Sequence, residues 1–380
     1  MRPVYVSGGA ARSACGAGLD ALCRGVMAAD PHPARVVFQS LGRSIDLPYQ
    51  RSPIALTTDS ATALAAEALS EAGLDDRRDP RLGLFLGTSS GGIGQHEQAF
   101  IRAHAQHPDA LAILQPDQSK PTVALHAALS LRGPHYTVST ACSSAGNALL
   151  YASWAIREGW LDHALVVGLE LENRLSQQGF FALMLATREA CRPFDTRRDG
   201  IVLGEGIGVV VLSARRPARG PAWQLRGGAT LCDTTHPTNP SAGMIAETLR
   251  RACADAAVPT DAITAIKVHG TGTRANDETE GLGLLEVFGD RMPPLTSLKP
   301  ALGHTLGACG ALETLAFRAC LDQGFVPPTA GFEEPDPALA LQLLRKPLPW
   351  HGGPVLLNTF GFGGNNCALV LQRTADIAPC

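Results

Sequence analysis

The sequence predicts an α/β protein built from two comparable halves. Apolar runs of strand length alternate with stretches of helical periodicity along the whole chain. Several runs, "HALVVGLELE" and "GIGVVVLSA" above all, are apolar at consecutive positions, the pattern of strands covered on both faces. The second half repeats the style of the first, although residue-level self-similarity is weak. The best junction is "ARRPARGPA", Ala214 to Ala222, so halves of residues 1–215 and 216–380 within one compact unit are expected.

Taken in order, "RPVYVSGG" (Arg2 to Gly9) is an opening strand that ends in glycines. "TDSATALAAEALSEAGL" places Ala61, Leu64, Ala65, Ala68 and Leu69 at helical spacing, with Gly73 as a stop. "RLGLFLGTSSGG" is a buried strand entering a glycine loop, and "YTVSTAC" is another strand. "SSAGNALLYASWAIREG" is a helix. In the second half "ETLRRACADAAV" and "GALETLAFRACLDQG" are helices, and "AITAIKVHGTGT" is a strand ending in a polar loop. "VLLNTFGFGG" and "NNCALVLQ" read as a closing strand pair around a glycine turn.

Composition narrows the function. A chain of 380 residues can bury a large core, and a net charge of −3 offers no field to attract nucleic acid. The pairs Arg77-Arg78 and Arg197-Arg198 read as solvated surface. The start of the chain lacks an apolar stretch of signal-peptide length, and no window has the apolar length of a membrane span. Ten cysteines in that context imply free thiols in a reducing, cytoplasmic setting. No C-x-x-C pair occurs, and Cys15/Cys23 and Cys309/Cys320 are poorly spaced for zinc, so no metal is expected.

Four stretches carry chemistry. In "STACSSAG", Cys142 sits on a strand-to-helix turn, where the helix beginning at Ser143 favours thiolate and small neighbours leave room for substrate. In "KVHGTGTRANDETE", His269 ends an apolar strand, followed by Thr271, Thr273, Asp277 and Glu280. "SLKPALGHTLGACGALE" brings Lys299, His304 and Glu313 into one glycine-rich loop and helix start. "NTFGFGGNNC" puts Phe362 on a flexible turn. Each stretch alone also fits an ordinary packed or solvated segment.

Together and in this order, the four motifs resemble the elongating β-ketoacyl-acyl carrier protein synthases of the thiolase superfamily. The resemblance spans nearly the whole chain and includes "PFDTRRDGIVLGEGIGVVVL". It implies a thiolase-like fold, two duplicated halves forming a five-layered αβαβα core. It also implies a decarboxylative Claisen condensation between an acyl thioester on Cys142 and malonyl carried on acyl carrier protein. By the match, His269 and His304 donate hydrogen bonds to the developing enolate oxygen, each worth ~3–4 kcal/mol. The backbone N–H groups of Cys142 and Phe362 meet the acyl oxyanion, and Phe362 is the gate. Lys299, Glu313, Asp277 and Glu280 support the loops, and Thr271 and Thr273 hold a phosphopantetheine arm that arrives on the carrier. No dissociable cofactor is implied. The expected partners are acyl carrier protein and a second subunit, either a copy of this chain or a related chain-length factor.

Three departures stand out. Leu302 replaces a threonine, which changes the wall beside His304. Asn365 replaces a hydroxyl near the gate. "ILQPDQSKPT" (113–122) is polar where an aromatic-rich segment is usual. They suit a synthase of a polyketide or polyene pathway. The alternative reading is a non-catalytic chain-length-factor-type subunit, which would lack the nucleophile and often the histidines. Initiating synthases use Cys-His-Asn, and degradative thiolases need a second catalytic cysteine near the closing glycine loop. Here "LGHTLGA" supplies a second histidine. The nine remaining cysteines are expected to be packing.

Overall fold

Two five-stranded arrays with the same strand order, and a two-residue strand Gly16–Ala17 paired beside Arg12 and Ser13, make up the main sheet. The computed structural model describes residues 1–28, 33–40, 42–106, 117–217, 222–235, 241–339 and 341–374. In the first array, β1 (Tyr5–Ser13), β2 (Leu82–Gly87), β3 (His135–Val138), β4 (His163–Glu170) and β5 (Gly206–Ser213) lie in the order β3-β2-β4-β5-β1. In the second, β6 (Trp223–Cys232), β7 (Ala265–Lys267), β8 (Leu295–Thr296), β9 (Pro354–Gly361) and β10 (Asn365–Arg373) lie in the order β8-β7-β9-β10-β6. Directions match as well. β2 is parallel to β3 and β4, and β5 is antiparallel to β4 and β1. Likewise β7 is parallel to β8 and β9, and β10 is antiparallel to β9 and β6. A short antiparallel pairing of β1 with β6, Tyr5 opposite Gln224 and Val6 opposite Trp223, joins the arrays. The repeat is therefore visible in topology where residue identity barely shows it.

The helices used below are α1 (Thr58–Glu71), α2 (Ser144–Arg157), α3 (Ala242–Asp255), α4 (Arg274–Phe288) and α5 (Cys309–Asp322). α1 covers the outer face of the first array, α3 packs on the outer face of the second with α4 against it, and α2 and α5 run between the arrays. The result is a five-layered αβαβα core. The middle layer explains why every residue of β4 and β5 is buried, since a strand covered on both faces has no side for polar residues. Local signals place the ends: Thr57 and Ser60 form a capping box at the start of α1, and Gly73 takes a φ of 69° after it.

α2 and α5 cross at closest range through two glycines. A Cβ on Gly310 would lie 2.1 Å from the Gly146 nitrogen and 2.6 Å from its Cα. Gly87 of β2 is equally tight, with a Cβ there 2.5 Å from Ala145. The backbones touch directly, so no side chain can be added at the crossing without displacing main chain.

Two expectations need correction. The first strand starts at Tyr5 and runs on to Ser13, because its glycines pair with β5 instead of ending it. Arg198 is buried, not solvated: it bonds Asp336 at 2.6 Å and the Asp195 carbonyl at 3.0 Å. Residues 218–221 of the expected junction and 113–116 of the polar segment lie outside the described residues. Among the described residues no helix is long and apolar enough to cross a membrane.

Gly310→Ala is expected to destabilise the protein by about 3 kcal/mol or more in urea unfolding, because the crossing cannot open. Gly179→Ala is the control. It lies in the helix Arg174–Ala182 with nothing within 4 Å of an added Cβ, so stability should hold or rise by up to about 1 kcal/mol.

Candidate active site

Cys142 lies between the end of β3 and the start of α2, on a backbone forced into an unusual turn. The preceding residue, Ala141, has a φ of 51°, a left-handed conformation that costs a non-glycine residue on the order of 1–3 kcal/mol. The serines of the motif hold that turn. Ser144 Oγ donates to the Ala141 carbonyl at 2.6 Å, Ser89 Oγ donates to it at 3.1 Å, and Ser143 Oγ donates to the Thr140 carbonyl at 2.8 Å. These small residues therefore lock the elbow rather than merely leaving space.

The Cys142 sulfur faces Nε2 of His304 at 3.1 Å, with the Phe362 backbone N–H also acting on it. Sequence reasoning expected the helix to favour thiolate. Burial wins instead: it pushes the Cys142 thiol pKa well up, while Lys299 and the Phe362 N–H pull only partly the other way. The same dryness, then Lys299, pushes His304 down to about 3, and burial with Lys299, His304 and Lys267 holds His269 well below the usual imidazole range. The resting site is thus a neutral thiol beside two neutral imidazoles.

The histidines are placed by backbone. His304 follows Gly303, whose φ is 75°, and bonds across to Val202 and Gly204 in the segment just before β5. His269 leaves β7, and Glu280 of α4 accepts its N–H at 2.7 Å and that of Gly270 at 2.8 Å. The two rings stand edge to face, 5.4 Å apart. Asp277 accepts from the N–H groups of Thr271 and Phe194 at 3.0 and 2.8 Å, and burial raises its pKa to about 6. Thr271 and Thr273, hydroxyls 2.9 Å apart, line the same cleft as Cys142 and both histidines. The cleft holds about 870 Å³ including its open mouth.

Beneath the histidines lies a buried charge cluster. Glu313 accepts from Lys299 at 2.7 Å and from Lys267 at 2.5 Å. Burial alone would raise the Glu313 pKa, but the two ammonium groups hold it well below the usual range. Burial lowers Lys267, whereas at Lys299 the carboxylate outweighs burial and raises it.

Four residues escaped the sequence reading. Lys267 was visible as a lysine inside an apolar strand. Glu170 ends β4 and accepts from Ser89, Ser90 and Gly307, tying the loop that holds Ala141 to the loop that follows His304. Phe180 stacks on Phe362 at 5.8 Å, so the aromatic expected to be the gate has a partner. Cys309, read as packing, touches Nδ1 of His304 at 3.1 Å. Two departures are not among the residues that line the cleft: Leu302 is fully buried in the central core, and Asn366 rather than Asn365 lines the cleft.

Models of the β-ketoacyl synthase N-terminal and C-terminal domains match residues 55–218 and 224–333. Nodulation protein E of Rhizobium meliloti (strain 1021) is 31% identical, over 82% of this chain and 81% of its own. The tetracenomycin polyketide synthase ketoacyl synthase alpha subunit of Streptomyces glaucescens is 32% identical, over 92% of this chain and 89% of its own. The solved ishigamide ketosynthase/chain length factor superposes with a TM-score of 0.87 at 27% identity, covering 98% of this chain and 99% of that one.

Glu313→Gln should cost about 3–5 kcal/mol at neutral pH, because it strands two buried ammonium groups. A carboxylate with a depressed folded pKa stabilises above its unfolded value and loses that contribution as pH falls. Urea unfolding across pH should therefore show a shallower loss of stability between about pH 5 and pH 3 in the variant than in the wild type.

Proposed function

Because the chain belongs to the β-ketoacyl synthase family of condensing acyltransferases, we propose that Cys142 carries the growing acyl chain and that His269 and His304 stabilise the enolate that extends it. The observation that carries this reading is the Cys142 sulfur 3.1 Å from His304 Nε2, with His269 beside it in one cleft.

In the first step the sulfur attacks the thioester of an acyl carrier protein. A carbon–sulfur bond forms to Cys142, and the proton it gives up ends on the departing pantetheine sulfur. In the second, malonyl on the carrier loses CO2, and the freed electron pair resides on the thioester enolate. Its carbon attacks the Cys142 thioester, a carbon–carbon bond forms, and the sulfur leaves and regains a proton. Neutral imidazole N–H groups in a dry cleft suit the enolate oxygen, since they bring dipoles without a charge that water must first screen. The N–H groups of Cys142 and Phe362 serve the acyl oxyanion, and Phe362 on Phe180 opens and closes the cleft. Thr271 and Thr273 hold the pantetheine arm, and Lys299, Glu313, Asp277 and Glu280 keep the loops in place.

The chain builds a polyketide or polyene product in the cytoplasm, with residues 1–215 and 216–380 acting as two halves of one unit. It works as a dimer with a copy of itself or with a chain-length-factor subunit, and β3 is the outermost strand of its array, with Tyr136 half exposed. The presence of Cys142, His269 and His304 together favours catalysis over a non-catalytic partner role.

Mass spectrometry after incubation with an acyl-loaded carrier should find the acyl group on Cys142 and none on Cys142→Ala. His269→Ala should still acylate but release CO2 from malonyl carrier about 100-fold more slowly. A folded wild-type protein that takes no adduct, with partner supplied, would contradict the reading.

A further inference from the structure

We propose that Cys309 is a positioning residue for the condensation: its thiol donates to Nδ1 of His304 and so holds that ring as the Nε2–H tautomer facing Cys142 and the substrate. A neutral imidazole carries one N–H and one lone pair, and the partner of one nitrogen decides the role of the other. Each nitrogen of His304 meets one sulfur, Nδ1 at Cys309 and Nε2 at Cys142, both at 3.1 Å. A third group favours the thiol as donor at Nδ1. The Thr305 hydroxyl donates to the Cys309 sulfur at 3.5 Å, so the sulfur already accepts one hydrogen bond while its own hydrogen is free for Nδ1.

Two further observations agree. Cys309 is fully buried as the first residue of α5, and burial raises its pKa to about 12, so it keeps the hydrogen it must donate. The charges that face it, Lys299, Glu313 and Lys267, are paired with one another. His269 has no such device: its Nδ1 is buried without a partner, and the residue is held through its backbone by Glu280. The relay Thr305 to Cys309 to His304 thus gives one histidine a defined donor. The opposite tautomer would present a lone pair to a developing oxyanion and repel it.

This inference rests on the proposed condensation for its consequence, but not for its geometry. Nitrogen-15 NMR of histidine-labelled protein reads the His304 tautomer in the resting protein, without substrate. The wild type should show Nε2–H, Cys309→Ala should shift toward Nδ1–H, and Cys309→Ser, which keeps a donor, should restore Nε2–H. CO2 release from malonyl carrier should fall about fivefold to tenfold in the alanine variant, more than acylation of Cys142, and recover in the serine variant. Circular dichroism and the urea midpoint confirm that both variants fold. A wild-type Nδ1–H tautomer overturns the proposal, as does an alanine variant unchanged in tautomer and CO2 release, or a serine variant as slow as alanine. A wild type that never condenses contradicts the function, while the tautomer still decides the role of Cys309.

Discussion

The direct backbone contact of α2 with α5 at Gly146 and Gly310 is the constraint on which the active site depends. Cys142 lies just before α2, and His304 lies a few residues before α5. A crossing with no side chains in it fixes the separation of the two helix starts, and with it the 3.1 Å approach of sulfur to imidazole. Glu170 ties the same two regions from the side, through Ser89 and Gly307. Cys142 and His304 thus come from distant parts of the chain, yet their geometry is set by main chain more than by rotamer choice.

Dryness follows from the same packing. A five-layered core leaves the middle layer without solvent, and the titrations respond: the Cys142 thiol rises, and both imidazoles fall and stay neutral. In the Lys267–Glu313–Lys299 cluster charge survives at this depth because one carboxylate serves two ammonium groups. Such a cluster is a poor source of stability compared with an apolar core of equal volume. Its ammonium groups add to burial in lowering both imidazoles.

Much of this was legible in the sequence. Unbroken apolar runs marked β4 and β5, and helical spacing marked α1 and α2. The order of the cysteine, HGTGT, glycine-histidine and GFGG motifs picked out Cys142, His269, His304 and Phe362 from a chain with ten cysteines and eleven histidines. What stayed hidden depends on tertiary proximity. Glu170 and Phe180 carry no local pattern and gain meaning only across the cleft. Lys267 shows as an odd residue in a strand, but its partner is 46 positions away. Arg198 looked like solvated surface because the paired Asp336 is distant in sequence. The thiolate expectation failed for a related reason: a helix start is local, whereas desolvation is set by everything packed around it.

The central claim is that this cleft joins carbon to carbon. Its most direct test is the product formed from an acyl carrier and a malonyl carrier labelled with carbon-13 at the methylene, with the partner subunit supplied. The account predicts a β-ketoacyl product two carbons longer, carrying the label, with one CO2 released for each chain extended. Free acid from hydrolysed thioester, or CO2 release with no lengthened product, would contradict it.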